Sequence, residues 1–209
     1  MARKSLLACG VIASVLYLAM TTLIPLAWPA YSSFSQTISE LSAVDAPTRP
    51  IWFPLGLVYT LLVAAFGLGV LKSAGHSRAQ QVLGGLLIAN GLIGLGWMPM
   101  HQRHVLAAGG GTMSDTLHLV WGGITVALML GEMAAAMGLF GRRFRVYTVA
   151  TVVALIVGGS LTTYGAPAVQ ANLPTPWLGV WERVNVFGYM LWQAVVAVLL
   201  LARAPADSR

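Results

Sequence analysis

The sequence predicts an all-α fold: a polytopic membrane helical bundle with six transmembrane helices and a short amphipathic helix on its outer side. Three observations predict it. Hydrophobic residues make up 57% of the chain and charged residues 9%, whereas a soluble domain is about a quarter charged because water must wet its surface. The apolar residues form continuous runs long enough to cross a bilayer, not the alternating segments of a barrel. The few basic residues sit in short clusters between those runs, as topology signals do. That distribution also argues against a nucleic-acid partner despite a net charge of +6, because no basic face is built.

A spanning helix needs roughly 20 mainly apolar residues to cross about 30 Å of hydrocarbon. The first such run is 6–28, behind Arg3 and Lys4. It is long for the apolar region of a signal peptide and shows no convincing cleavage site before Tyr31, so it reads as a span. Cys9, the single cysteine, lies inside it, which excludes an intrachain disulfide and a cysteine-based zinc site. In the connection 31–50, Phe34, Ile38 and Leu41 recur at helical spacing. Ser33 and Gln36 resemble a capping box and Pro47 limits any continuation. This is the short amphipathic helix, lying on the membrane surface or capping the bundle.

The later spans are 51–71, 82–100, 117–140, 146–166 and 184–202. Glycines crowd the third (Gly84, Gly85, Gly91, Gly94, Gly96), which points to close helix contacts. One domain therefore covers 1–203, and 204–209 reads as a disordered cytoplasmic tail. One side of the membrane holds Arg3, Lys4, Lys72, Arg78, Arg142, Arg143, Arg145, Arg203 and Arg209; the other holds Arg49, Arg103 and Arg183. The excess of basic residues marks the first side as cytoplasmic, with both termini there, in a multi-pass protein of the cell membrane. Trp28, Trp52, Trp97, Trp121, Trp177 and Trp181 then fall near the outer ends of spans, as an interfacial belt or as pocket walls.

The outer connections carry the candidate chemistry. His101 and His104 are three apart at the end of the third span, and Asp115 and His118 are three apart at the start of the fourth. Each pair shares a helix face, and the Gly109-Gly110-Gly111 turn lets the two pairs converge. Imidazoles with a carboxylate suit zinc, with an open position for water, so His101, His104, Asp115 and His118 are candidate metal ligands and catalytic residues. Without metal, Asp115 would orient His118 or His104 as a general base. Glu182 and Arg183 enter the last span beside Trp177 and Trp181. Glu182 is expected to reach Arg103 or a histidine, and Arg183 to reach Glu40 or Asp115. The two act either as a clamp between helix ends or, through Arg183, as a seat for an anionic headgroup.

Glu132 is the carboxylate well within a span. An ionised group there costs at least about 2.5–3.5 kcal/mol, so it should face the bundle and be paired or protonated, with Asn90 and Gln193 as hydrogen-bond partners. It is either a proton, cation or ligand contact, or a neutral acid in helix packing.

The segment YSSFSQTISELSA, the stretch MHQRHVLAAGGGTMSDTLH and the start of the last span, WERVNVFGYMLW, occur here in an order that resembles the prokaryotic membrane proteins grouped as DUF998. The resemblance covers nearly the whole chain. It implies a six-pass helical fold and brings no activity. It also implies that Ser35, Ser39, Glu40, His101, Arg103, Asp115, His118, Glu182 and Arg183 belong to recurring outer motifs. Multi-pass hydrolases of the alkaline ceramidase and progestin-receptor type offer a chemical analogy, but their H-x-x-x-H pair is lacking. The outer residues, with Ser35, Ser39, Glu40, Arg103, Trp121, Glu182 and Arg183 as substrate contacts, suggest a pocket for a membrane lipid or other amphiphilic small molecule. Hydrolysis there, transport driven through Glu132, and a non-catalytic sensor or assembly role are the function classes this leaves.

Overall fold

The computed structural model describes residues 2–203; the expected tail, 204–209, lies outside the described residues. Among them are seven α-helices: α1 (Ala2–Leu23), α2 (Arg49–Ser73), α3 (Arg78–Gly94), α4 (Arg103–Ala107), α5 (Met113–Ala136), α6 (Arg142–Gln170) and α7 (Leu178–Arg203). Short 3₁₀ turns occupy Ile24–Ala27 and Ile38–Ser42, and no described residue is in a strand.

Five of the helical segments are long and apolar enough to cross a membrane: Arg3–Ala27, Arg49–Ser73, Met113–Ala136, Arg142–Gln170 and Leu178–Arg203. The expected third span, 82–100, differs. Its helix begins at Arg78, where the Ser77 hydroxyl accepts the Gln80 N–H, and ends at Gly94. At 17 residues it is about 25 Å long by helical rise, short of the hydrocarbon thickness. Residues 95–100 leave the helix ahead of Pro99, and the carbonyls of Met98, Pro99 and Met100 find partners elsewhere.

α1 lies between α2 and α7; α3 packs on α2 and holds α5, while α6 packs on α7. The main core runs through these layers, from Leu7 and Ala13 through Val63, Phe66, Leu83 and Leu87 to Met133, Tyr189, Trp192 and Val196. Large apolar side chains also stand exposed along the helices, among them Ile12, Val15, Leu61, Val153, Ile156, Leu191 and Val198. Apolar surface on that scale fits lipid as its solvent.

Of the short amphipathic helix expected on the membrane surface or capping the bundle, one turn forms, and it packs into the end of the bundle. Only Ile38–Ser42 winds, as a 3₁₀ turn, and Ile38 and Leu41 are buried with Met20, Ile24, Tyr31 and Trp52. Phe34 points away at 64% exposure. The capping box is formed by Thr37 and Glu40, with Thr37 N–H donating to Glu40 Oε2 at 2.7 Å. Gln36 cannot cap from Ser33 because its Oε1 accepts the Ser32 N–H at 2.8 Å. The segment is therefore a folded plug in the end of the bundle.

Gly91 shows how closely α2 and α3 approach: a Cβ there would lie 2.7 Å from both the Ala64 nitrogen and the Thr60 carbonyl oxygen. Gly91→Val is expected to cost about 1–3 kcal/mol through this overpacking. Gly85→Ala, whose Cβ meets open space, should stay within about 0.5 kcal/mol of the parent. Thermal unfolding of the two variants in the same detergent checks the contrast.

Candidate functional site

Nearly all the polar residues singled out in the outer connections collect at one end of the bundle, around the segment 31–48. Their first task is to satisfy its backbone. Arg103 at the start of α4 donates from Nε to Glu40 Oε1 at 2.6 Å and from Nη2 to Glu40 Oε2 at 2.9 Å. Its remaining N–H groups reach the carbonyls of Ser35 (3.0 Å) and Leu173 (3.4 Å) and the Thr175 hydroxyl (2.7 Å). A guanidinium has five N–H donors, and these contacts use all of them. Ser35 thus contributes its carbonyl, which also accepts from Thr175 Oγ1 at 2.7 Å.

Glu182 and Arg183, on the first turns of α7, hold the other edge. Arg183 Nη1 donates to the carbonyls of Ser33 (2.7 Å), Gln36 (3.2 Å) and Gly179 (3.0 Å), and Nη2 to the Tyr31 hydroxyl at 2.8 Å. Burial holds the Tyr31 phenol above its ordinary pKa, against the opposing pull of Arg183. Glu182 accepts the Ile38 N–H and the Ser39 hydroxyl. The expected pairings of Glu182 with Arg103 or histidine, and of Arg183 with Glu40 or Asp115, are replaced by these loop contacts. The reason is proximity: a Cβ on Gly179 would lie 2.3 Å from the Gln36 carbonyl and 2.4 Å from that of Ser33. The loop rests directly on α7.

The hairpin residues serve the unwound end of α3. The Trp121 indole donates to the Ile93 carbonyl at 2.9 Å. His118 Nδ1 meets the Met98 carbonyl at 2.7 Å, with its ring edge-on to Trp97. Ser114 donates to the Pro99 carbonyl, and Val44 N–H to that of Met100 at 2.8 Å. Asp115 caps α5, accepting the Thr112 N–H at 2.8 Å, and binds His101 twice: the backbone N–H at 2.7 Å and ring Nδ1 at 2.9 Å.

The expected quartet therefore does not assemble. His101 and Asp115 pair, His118 turns to Met98, and His104 faces elsewhere on α4. Among the described residues no group of three or more His, Cys, Asp or Glu side chains is arranged to hold a metal ion. His104 instead lines a recess of about 190 Å³, with Trp28, Gln36, Gln102, Asn172 and the Glu40–Arg103 pair. Asn172, missed in the sequence, takes a left-handed φ of 52° at the end of α6. Asparagine tolerates that conformation. Neither His104 nor Asn172 engages its side chain in a hydrogen bond among the described residues, and both are exposed.

Glu132 lies apart, fully buried in the bundle. Asn90 Nδ2 donates to its Oε1 at 3.1 Å, as expected. The Tyr189 hydroxyl meets Oε2. Gln193 joins only through Tyr189, at 3.4 Å, and donates onward to Gly10 O at 3.2 Å and Ser14 Oγ at 3.1 Å. Tyr189 was not legible because an aromatic residue inside an apolar run reads as packing.

A family model described as a protein of unknown function, DUF998, matches residues 11–199. No curated protein and no solved structure matches the chain.

Arg103→Ala would leave Glu40 buried beside unsatisfied carbonyls. Breaking such a pair costs about 3–5 kcal/mol, and replacing both partners by apolar residues costs less. Arg103→Ala should therefore lower the folded fraction in size-exclusion chromatography more than Arg103→Met combined with Glu40→Leu does.

Proposed function

We propose that this chain, which belongs to the DUF998 family, is a six-pass protein of the cell membrane that binds a polar headgroup at its outer end. Six passes follow if α3 and the unwound segment 95–100 together make the third crossing. Non-helical backbone is tolerated at membrane depth where protein satisfies it, and His118, Ser114 and Val44 supply partners to the carbonyls of Met98, Pro99 and Met100. The orientation follows the basic residues. Arg49, Arg103 and Arg183 all bond to the segment 31–48. Arg203, from the opposite end of α7, donates to Leu139 O at 2.9 Å in the α5–α6 connection. The more basic end is the cytoplasmic one, and with an even number of crossings both termini lie there.

The recess carries the binding reading. Its volume of about 190 Å³ is below that of a drug-sized pocket and suits one headgroup, the apolar remainder staying in lipid. Glu40 and Arg103 neutralise each other, so the walls offer neutral amides, an imidazole and an indole. That chemistry selects a hydroxyl- or amide-bearing headgroup of a lipid or similar amphiphile over a free anion. Native mass spectrometry from mild detergent tests it. Wild type is expected to retain a co-purified amphiphile. His104→Ala combined with Asn172→Ala should lower its retention about tenfold, the loss of two hydrogen bonds. Equal occupancy would defeat the reading.

A second reading, hydrolysis of the bound molecule, is favoured by the His101–Asp115 pair. With Nδ1 held 2.9 Å from Asp115 Oδ2, His101 presents Nε2 to take a proton from water, next in sequence to the recess residue Gln102. His101→Asn is then expected to retain the amphiphile intact where wild type carries a cleaved product. The same species in both would remove hydrolysis and leave binding standing.

A further inference from the structure

The hydrogen inventory around Glu132 carries an inference independent of the outer recess. Asn90 brings two amide hydrogens, one to Glu132 Oε1 at 3.1 Å and one to the Tyr189 oxygen at 3.4 Å. Gln193 has both amide hydrogens engaged with Gly10 and Ser14 of α1. The Tyr189 hydroxyl has a single hydrogen and two acceptors in reach, Glu132 Oε2 and Gln193 Oε1. If Glu132 were a carboxylate, one of those acceptors would lack a donor, in a place where Glu132, Tyr189 and Gln193 are each 0% exposed. An unsatisfied buried group costs about 1–3 kcal/mol, and an unpaired buried charge costs more. The titratable groups facing Glu132 are Tyr189 of α7 and Tyr59 of α2. Among the described residues no ion pair involves Glu132.

We propose that Glu132 is a proton-binding site: it holds its proton in the folded bundle and donates it to Tyr189, which frees the tyrosine hydrogen for Gln193. One added proton then completes a chain from Asn90 of α3, through α5 and α7, to Ser14 of α1. Glu132 to Tyr189 is the side-chain hydrogen bond joining α5 to α7 among the described residues. Loss of the proton would leave a charge without a cation at that joint and Gln193 Oε1 without a donor, so protonation is linked to the seating of α5.

Infrared spectroscopy of the full chain in lipid nanodiscs at neutral pH tests this. A carboxylic-acid C=O band is expected in wild type, lost in Glu132→Gln and kept in Glu182→Gln. Tyr189→Phe, which deletes the acceptor, should shift it. Identical carboxylic-acid absorption in wild type and Glu132→Gln, or an unmoved band in Tyr189→Phe, would overturn the proposal. Glu132→Gln copies the neutral group's shape and donor, so it should fold like wild type; failure to fold would show that the charge is needed and equally overturn it.

Discussion

Where buried backbone leaves a helix, each peptide group must find another partner, because an unpaired buried N–H or C=O is costly. Segments 31–48 and 95–100 leave the helices at one end of the bundle, and much of the arrangement of that end follows from satisfying them. The first is held by guanidinium groups on the carbonyls of Ser33, Ser35, Gln36 and Ser42, by Thr48 on the carbonyl of Leu41, and by carboxylates on the N–H groups of Thr37 and Ile38. The second is held by the side chains of α5 on the carbonyls of Met98 and Pro99, with Trp121 on that of Ile93 just before it in α3. Val44 N–H on Met100 O ties the two segments together.

This divides the polar residues at that end by task. Arginine suits loop backbone because its planar fork reaches several carbonyls while its charge is balanced by one carboxylate. Arg103 does so with Glu40, of which only 3% of the side chain is exposed. A group with every donor engaged is a poor ligand contact, since binding would first have to break what it already makes. His104, Asn172 and the far nitrogen of His101 are different: they stand at the same end with no hydrogen-bond partner among the described residues.

The sequence was legible where a property belongs to a single segment. Apolar runs, the bias of lysine and arginine, and the cost of a carboxylate at Glu132 with Asn90 as its partner can each be argued without coordinates. Legibility failed where two segments compete for the same group. Ser33 and Gln36 have the spacing of a capping box, yet Thr37 and Glu40 form it, because Arg103 fixes the Glu40 carboxylate there. His118 has the spacing of a ligand beside Asp115, yet the carbonyl of Met98 claims it, because α3 ends at Gly94 and not at Met100. Asn172 carries no periodic or motif signal; only the end of α6 brings it to the recess.

Composition and charge alone determined that the chain is a membrane-type helical bundle, because the cost of wetting apolar surface or burying charge is a sum over residues and ignores their partners. Tertiary structure decided which polar residues are structural and which remain free. A hydrogen-bond donor or acceptor is consumed by whichever group lies nearest, and that distance, between Arg183 and Ser33 or between Glu132 and Tyr189, spans stretches of chain whose spacing in sequence carries no record of it.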